Sequence, residues 1–143
     1  MTVRVTRTFE FEAPGERAWE FIADPAKRAD AISIVTDYEA GPGENEMVWH
    51  IQLPIPFVNQ TVAVQTEEIA RDPPRHVKFV GRSPAMRVTG EHTVEEHDGG
   101  SRLVNEFVVE GSLPGVEGYF KRHLDDELDN LERALREELE LAV

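Results

Sequence analysis

The hydrophobic period of the chain changes once, near residue 115, and that change dictates the architecture. Between residues 33 and 111 apolar side chains recur at nearly every second position, as strands with one buried face require. After Gly111-Ser112-Leu113-Pro114-Gly115 they recur at intervals of three and four, through Phe120, Leu124, Leu128, Leu131, Leu135 and Leu139. That is the stripe of one long helix. One-sided strands need an apolar cover, and only this helix is long enough to supply it. The expectation is an α+β fold in which a curved antiparallel sheet wraps around a long C-terminal helix.

The rest of the chain fits that plan. Val3, Val5, Phe9 and Phe11 alternate with polar residues in an opening strand, and Arg7 shares their parity. Pro14 then leads into a helical stripe of Ala18, Trp19, Phe21 and Ile22. Asp24-Pro25 ends it and starts a second short helix over Ala26 to Ile32, with Asp24 as its cap. Five or six strands follow: Ile34 to Glu39, Glu46 to Leu53, a longer one marked by Val58, Val62 and Val64 that ends near Arg71, one through Val77, Phe79 and Gly81, and a final pair. That pair, Met86 to Val94 and Leu103 to Val109, is joined by Asp98-Gly99-Gly100, the strongest hairpin signal in the sequence. No repeat or linker divides the chain, so residues 1–143 read as a single domain.

Several segments carry a resemblance over nearly the whole chain. They are Pro14-Gly15-Glu16-Arg17-Ala18-Trp19-Glu20-Phe21-Ile22-Ala23-Asp24-Pro25 after the first strand, Asp72-Pro73-Pro74-Arg75 before a later one, the Gly99-Gly100-Ser101-Arg102-Leu103 hairpin and the final helix. In this order they resemble the START/Bet v 1-like (SRPBCC) superfamily, in its polyketide cyclase/dehydrase and lipid-transport branch and the related CoxG-like proteins. The resemblance implies a helix-grip fold that holds a small hydrophobic molecule of lipid, polyketide or aromatic type between sheet and helix. It implies no fixed catalytic motif, because the enzymes of the superfamily differ in their catalytic residues. The site has to be argued from polar residues at inward parity.

Four residues break the apolar inner pattern: Arg7, Gln60, His92 and Asn105. A two-residue turn at either Asp98-Gly99 or Gly99-Gly100 puts His92 and Asn105 on one face; with the Asp98-Gly99 turn, residue 97 faces 100 and the two stand directly opposite, otherwise they are diagonal neighbours. A histidine oriented by an amide is an acid or base, a group that binds a ligand carbonyl or hydroxyl, or a satisfied core residue. Arg7 sits at a cavity mouth or pairs with an acid, because an unpaired buried guanidinium is prohibitive. Gln60 is either a ligand contact or the frayed start of its strand. Trp49, Phe79, Met86, Val88, Phe107, Phe120, Leu124 and Leu128 form the apolar walls. Two functions compete with simple binding: a cyclase- or dehydratase-like enzyme using His92 as acid or base with Asn105 beside it, and a protein-interaction module. Pro54, Ile55, Pro56 and Phe57, the most exposed apolar segment, read as a lid or a contact.

Composition narrows the partners. There are 28 acidic against 15 basic side chains, a formal charge of −13, and only three lysines. Such a surface repels phosphate backbones and anionic lipid heads, so neither nucleic acid nor stable membrane insertion is expected. It also suggests a high-salt host, where screening relieves self-repulsion. The absence of cysteine removes thiolate metal sites and thiol nucleophiles. No cofactor is expected either: the HTVEEH run puts His92 and His97 on opposite faces, and Gly41-Pro42-Gly43 is a turn without a phosphate-binding context. Glu67-Glu68, Glu95-Glu96 and Asp125-Asp126 read as solvated charges. With no apolar leader at the start, the expected location is cytoplasmic.

Overall fold

A computed structural model describes residues 2–56, 60–97 and 99–140. The elements run β1 (Thr2–Phe11), α1 (Gly15–Ile22), α2 (Pro25–Asp30), β2 (Val35–Ala40), β3 (Glu46–Ile51), β4 (Val62–Asp72), β5 (His76–Arg82), β6 (Met86–His97), β7 (Gly100–Gly111) and α3 (Val116–Glu138). Among the described residues the strands form one antiparallel sheet in the order β1-β7-β6-β5-β4-β3-β2. Six strands therefore occupy the two-periodic stretch. The sheet curves around α3, whose Phe120, Leu124, Leu128, Leu131 and Leu135 are buried against it. This is the helix-grip arrangement.

Local chemistry explains the junctions. Asp24 accepts a hydrogen bond from the Ala26 amide at 2.9 Å, and Pro25 opens α2 with its φ already set. The helix stops at Asp30, two residues before the expected Ile32, and a turn carries the chain into β2. Gly115, at φ 91°, caps α3 in a conformation that an L side chain resists. Gly90 is needed for space instead. A β-carbon there would stand 2.3 Å from the Phe79 ring, so glycine is what lets that ring lie across β6.

The register of the last hairpin pairs His97 with Gly100 and His92 with Asn105, as a turn at Asp98-Gly99 requires. Asp98 itself lies outside the described residues, as do Phe57, Val58 and Asn59; β4 begins at Val62, after Gln60 and Thr61, which are not part of the strand. Two readings of the surface need correction. In the segment expected to be the most exposed apolar stretch, Pro54 and Pro56 are exposed but Ile55 is partly buried against the core; among the described residues the exposed large apolar side chains are Ile69 and Leu113. Glu68 is not a solvated charge. It keeps the inward parity of Val64 and Thr66 on β4, and its side chain, 10% exposed, meets Arg28 and Arg71.

Candidate functional site

A narrow cavity of about 40 Å³ lies between the concave face of the sheet and α3. Trp49, Phe79, Met86, Val88 and Phe107 line it from the strands, and Phe120, Leu124 and Leu128 from the helix. All eight expected wall residues meet there. Ile32, Ile34 and Val35 close the end beneath α2, and Ile51, Val109 and Leu131 fill the remaining wall. At roughly 10–15 Å³ for each water, this space holds a few solvent molecules, and an organic ligand has to part the walls.

Three polar side chains line the cavity: His92, Arg28 and Glu127. His92 is fully buried, stacked near Phe79 with ring centroids 6.3 Å apart and edge-on to Phe107 at 5.5 Å. Its Nδ1 lies 2.7 Å from Asn105 Oδ1. The Asn105 amide is fixed in turn, because its Nδ2 donates to the carbonyls of Arg7 and Leu103, both at 3.2 Å. With that amide oriented, Nδ1 must carry the proton and donate, which leaves Nε2 as a lone-pair acceptor. No hydrogen-bond partner among the described residues reaches Nε2, although it is fully buried. Burial, followed by the positive charge of Arg28, holds the imidazolium pKa down at about 3 against an ordinary 6.5, despite the support of Asn105. His92 is therefore neutral near pH 7.

Arg28 is an interior guanidinium from α2. Its Nη1 donates to the Ile22 carbonyl at 2.6 Å, and its Nη2 to Glu68 at 2.9 Å. The cation lies 5.3 Å from the Phe79 ring centre. Burial lowers its pKa from the ordinary arginine value, a shift that the Glu68 carboxylate opposes. For Glu68 burial acts upward, but hydrogen bonds from Arg71 and Arg28 prevail and hold its carboxyl below the usual range. Glu127 faces the cavity from α3. It accepts from the Ser33 hydroxyl at 2.8 Å, the Ser33 amide and Asn130, and so fastens the helix to the turn after α2.

The remaining candidates are placed elsewhere. Arg7 does not line the cavity; it crosses to α3, where it pairs with Asp125 at 3.0 Å and with Asp129. This is the acid-paired alternative, with the partners supplied by the helix. Gln60 is exposed, precedes β4 and is not a cavity residue. Asn105 is buried behind His92 and orients it without reaching the cavity. Reading the sequence missed Arg28 and Glu127. For Glu127 a signal was available: it stands three residues after Leu124 and four before Leu131, within the apolar stripe. For Arg28 there was none, since a six-residue helix has too few turns to show a face.

Among the described residues no cluster of three or more histidine, aspartate or glutamate side chains could hold a metal, and no helix is long and apolar enough to cross a membrane. Comparison with curated proteins gives no significant match. Solved structures show the same fold. The Zhui aromatase/cyclase from Streptomyces sp. R1128 superposes with a TM-score of 0.76 at 16% identity, over 98% of this chain and 94% of that one. A START superfamily protein from Mycobacterium smegmatis gives 0.72 at 14%, over 96% and 97%. A conserved protein from Geobacillus kaustophilus gives 0.72 at 17%, over 94% and 96%. At these identities the likeness establishes architecture alone. The family model described as polyketide cyclase / dehydrase and lipid transport matches residues 2–136, nearly the full length, and the chain belongs to that family.

Proposed function

We propose that this chain binds a small hydrophobic ligand of lipid, polyketide or aromatic type between sheet and α3, and that a hydroxyl on the ligand donates to His92 Nε2. One observation carries the reading: a fully buried acceptor without a partner among the described residues, in a cavity walled mostly by apolar side chains. Leaving such a group unpaired costs about 1–3 kcal/mol, a penalty that a ligand hydroxyl removes. The apolar walls contribute affinity at roughly 25 cal/mol per Å² of ligand surface buried. Discrimination comes from His92, because a site built to bond a hydroxyl rejects the analogue that lacks it.

Proton shuttling by His92 is the weaker reading. An imidazole held neutral down to about pH 3 has no spare proton to donate at Nε2 and is a poor base. Binding therefore explains its environment better than turnover does. The test is a thermal-shift screen of the purified protein against paired hydrophobic compounds with and without a hydroxyl, alongside mass analysis of extracted lipids. Hydroxylated members should raise the melting temperature more than their parents, and His92→Phe should erase that preference. A screen in which no compound stabilises the protein would overturn the proposal.

A further inference from the structure

The wall where α2 meets β3 and β4 separates two spaces. Inside it is the ligand cavity; outside it an open groove of about 800 Å³ passes over Met47, Thr66, Ala70 and the exposed Ile69. Arg28, Trp49 and Phe79 line both. They form the neck between groove and cavity.

Arg28 is the polar member of that neck, only 5% exposed, and its bonding is incomplete. Both terminal nitrogens are engaged, by Ile22 and Glu68, yet Nε–H has no partner among the described residues. A buried cation is tolerated only when paired, and Glu68 provides the pairing. Glu68 does not depend on Arg28 in return, because Arg71 binds it through two nitrogens at 2.8 Å each. Arg28 is thus held in place with one donor uncommitted. Around the same Phe79 ring His92 offers an uncommitted acceptor, so the site presents two unpaired groups of opposite sense. The sign of the ligand group also follows. The Arg28 charge is already matched by Glu68, and Glu39, Glu44 and Glu46 line the groove, which disfavours an anion on the way in.

We propose that Arg28 determines specificity in this site by donating from Nε to a neutral carbonyl-type acceptor on the ligand, which enters from the outer groove through the neck of Arg28, Trp49 and Phe79. The inference rests on the ligand-binding reading and adds to it a second anchor and a direction of entry.

The experiment uses three probes of similar size: toluene, acetophenone and benzoate, titrated by NMR into the full chain. In the wild type acetophenone should bind about tenfold more tightly than toluene, within the range of a hydrogen bond to a charged donor. Arg28→Met should bring the two within about twofold by weakening acetophenone more than toluene. Arg28→Lys keeps a charge for Glu68 without the Nε donor and should give the same result, so the test survives if the methionine variant does not fold. Ala70→Phe, on the groove wall, should slow acetophenone association about tenfold and leave the preference intact. Equal binding of toluene and acetophenone in the wild type would remove Arg28 from recognition and leave hydrophobic binding standing. Benzoate binding tighter than acetophenone would overturn the neutral acceptor, and an unchanged association rate in Ala70→Phe would overturn the route. Failure of all three probes to bind would overturn the ligand-binding reading together with this one.

Discussion

The buried neutral state of His92 makes stability depend on pH with a definite sign. In the unfolded chain the imidazole takes a proton near 6.5; in the folded chain it resists until about 3. The unfolded state therefore binds the extra proton as pH falls. The contribution of His92 is fully present above pH 6.5 and is lost progressively down to about pH 3. At 1.36 kcal/mol per pH unit, and allowing for partial protonation at each end, the loss between pH 7 and pH 5 is about 2 kcal/mol. Carboxylates complicate a direct reading, because a chain of charge −13 gains relief from self-repulsion as its acids protonate. The comparison is therefore between the wild type and His92→Phe, by urea unfolding at pH 7, 6 and 5. Any advantage of the wild type over the variant should shrink by about 2 kcal/mol across that range. A difference that stays constant with pH would refute the claim that the folded protein holds His92 neutral.

Three further expectations follow from the same geometry. Asn105→Leu strands the His92 Nδ1–H and should cost about 1–3 kcal/mol, whereas adding His92→Phe should recover part of it; a double-mutant cycle by urea unfolding with no coupling would show that the bond at 2.7 Å contributes nothing. Leu128→Ala, at a helix position 1% exposed on the cavity wall, should destabilise by ~2–5 kcal/mol yet tighten toluene binding by widening the space, so stability and affinity, measured by urea unfolding and NMR titration, move in opposite directions. Arg7→Ala should cost under about 1 kcal/mol, less at molar salt, and leave ligand affinity unchanged, because its partners Asp125 and Asp129 are exposed and none of the three lines the cavity.

The parts legible in the sequence were those governed by period. Alternation gave each strand its inner face, the hairpin turn put His92 and Asn105 on one face, and the helical stripe gave the cover; joined to the helix-grip resemblance, these named the eight apolar walls. Which charged residues pair with one another inside the fold was not legible, for a physical reason. An interior charge is stable only beside its partner, and the partners lie far apart in the chain: Arg28 with Glu68, Glu127 with Ser33. Local pattern holds no information about such pairs. For Arg7 parity left two alternatives, a cavity mouth or an acid partner, and its partners on α3 decide for the second.

The acidic composition by itself speaks about solvent, salt and excluded partners. Glu68 and Glu127 change that picture. Glu68 holds Arg28 at the neck, and Glu127 ties α3 to the turn that closes the cavity. Glu127 lines a space too small for an organic ligand, and Glu68 pairs the Arg28 whose Nε has no partner among the described residues. These are features that reduce stability in the free protein and that a ligand reverses. Binding and folding should therefore be coupled, with stability rising by RT ln(1 + [L]/Kd) as ligand is added. A hydroxyketone that pairs both His92 and Arg28 should thus raise the melting temperature of the wild type more than its parent hydrocarbon does at equal concentration. In the double variant His92→Phe, Arg28→Met the two compounds should give nearly equal shifts, because both unpaired atoms on the cavity lining, His92 Nε2 and Arg28 Nε, are gone. A hydroxyketone that kept its advantage in the double variant would show that the polar recognition lies elsewhere.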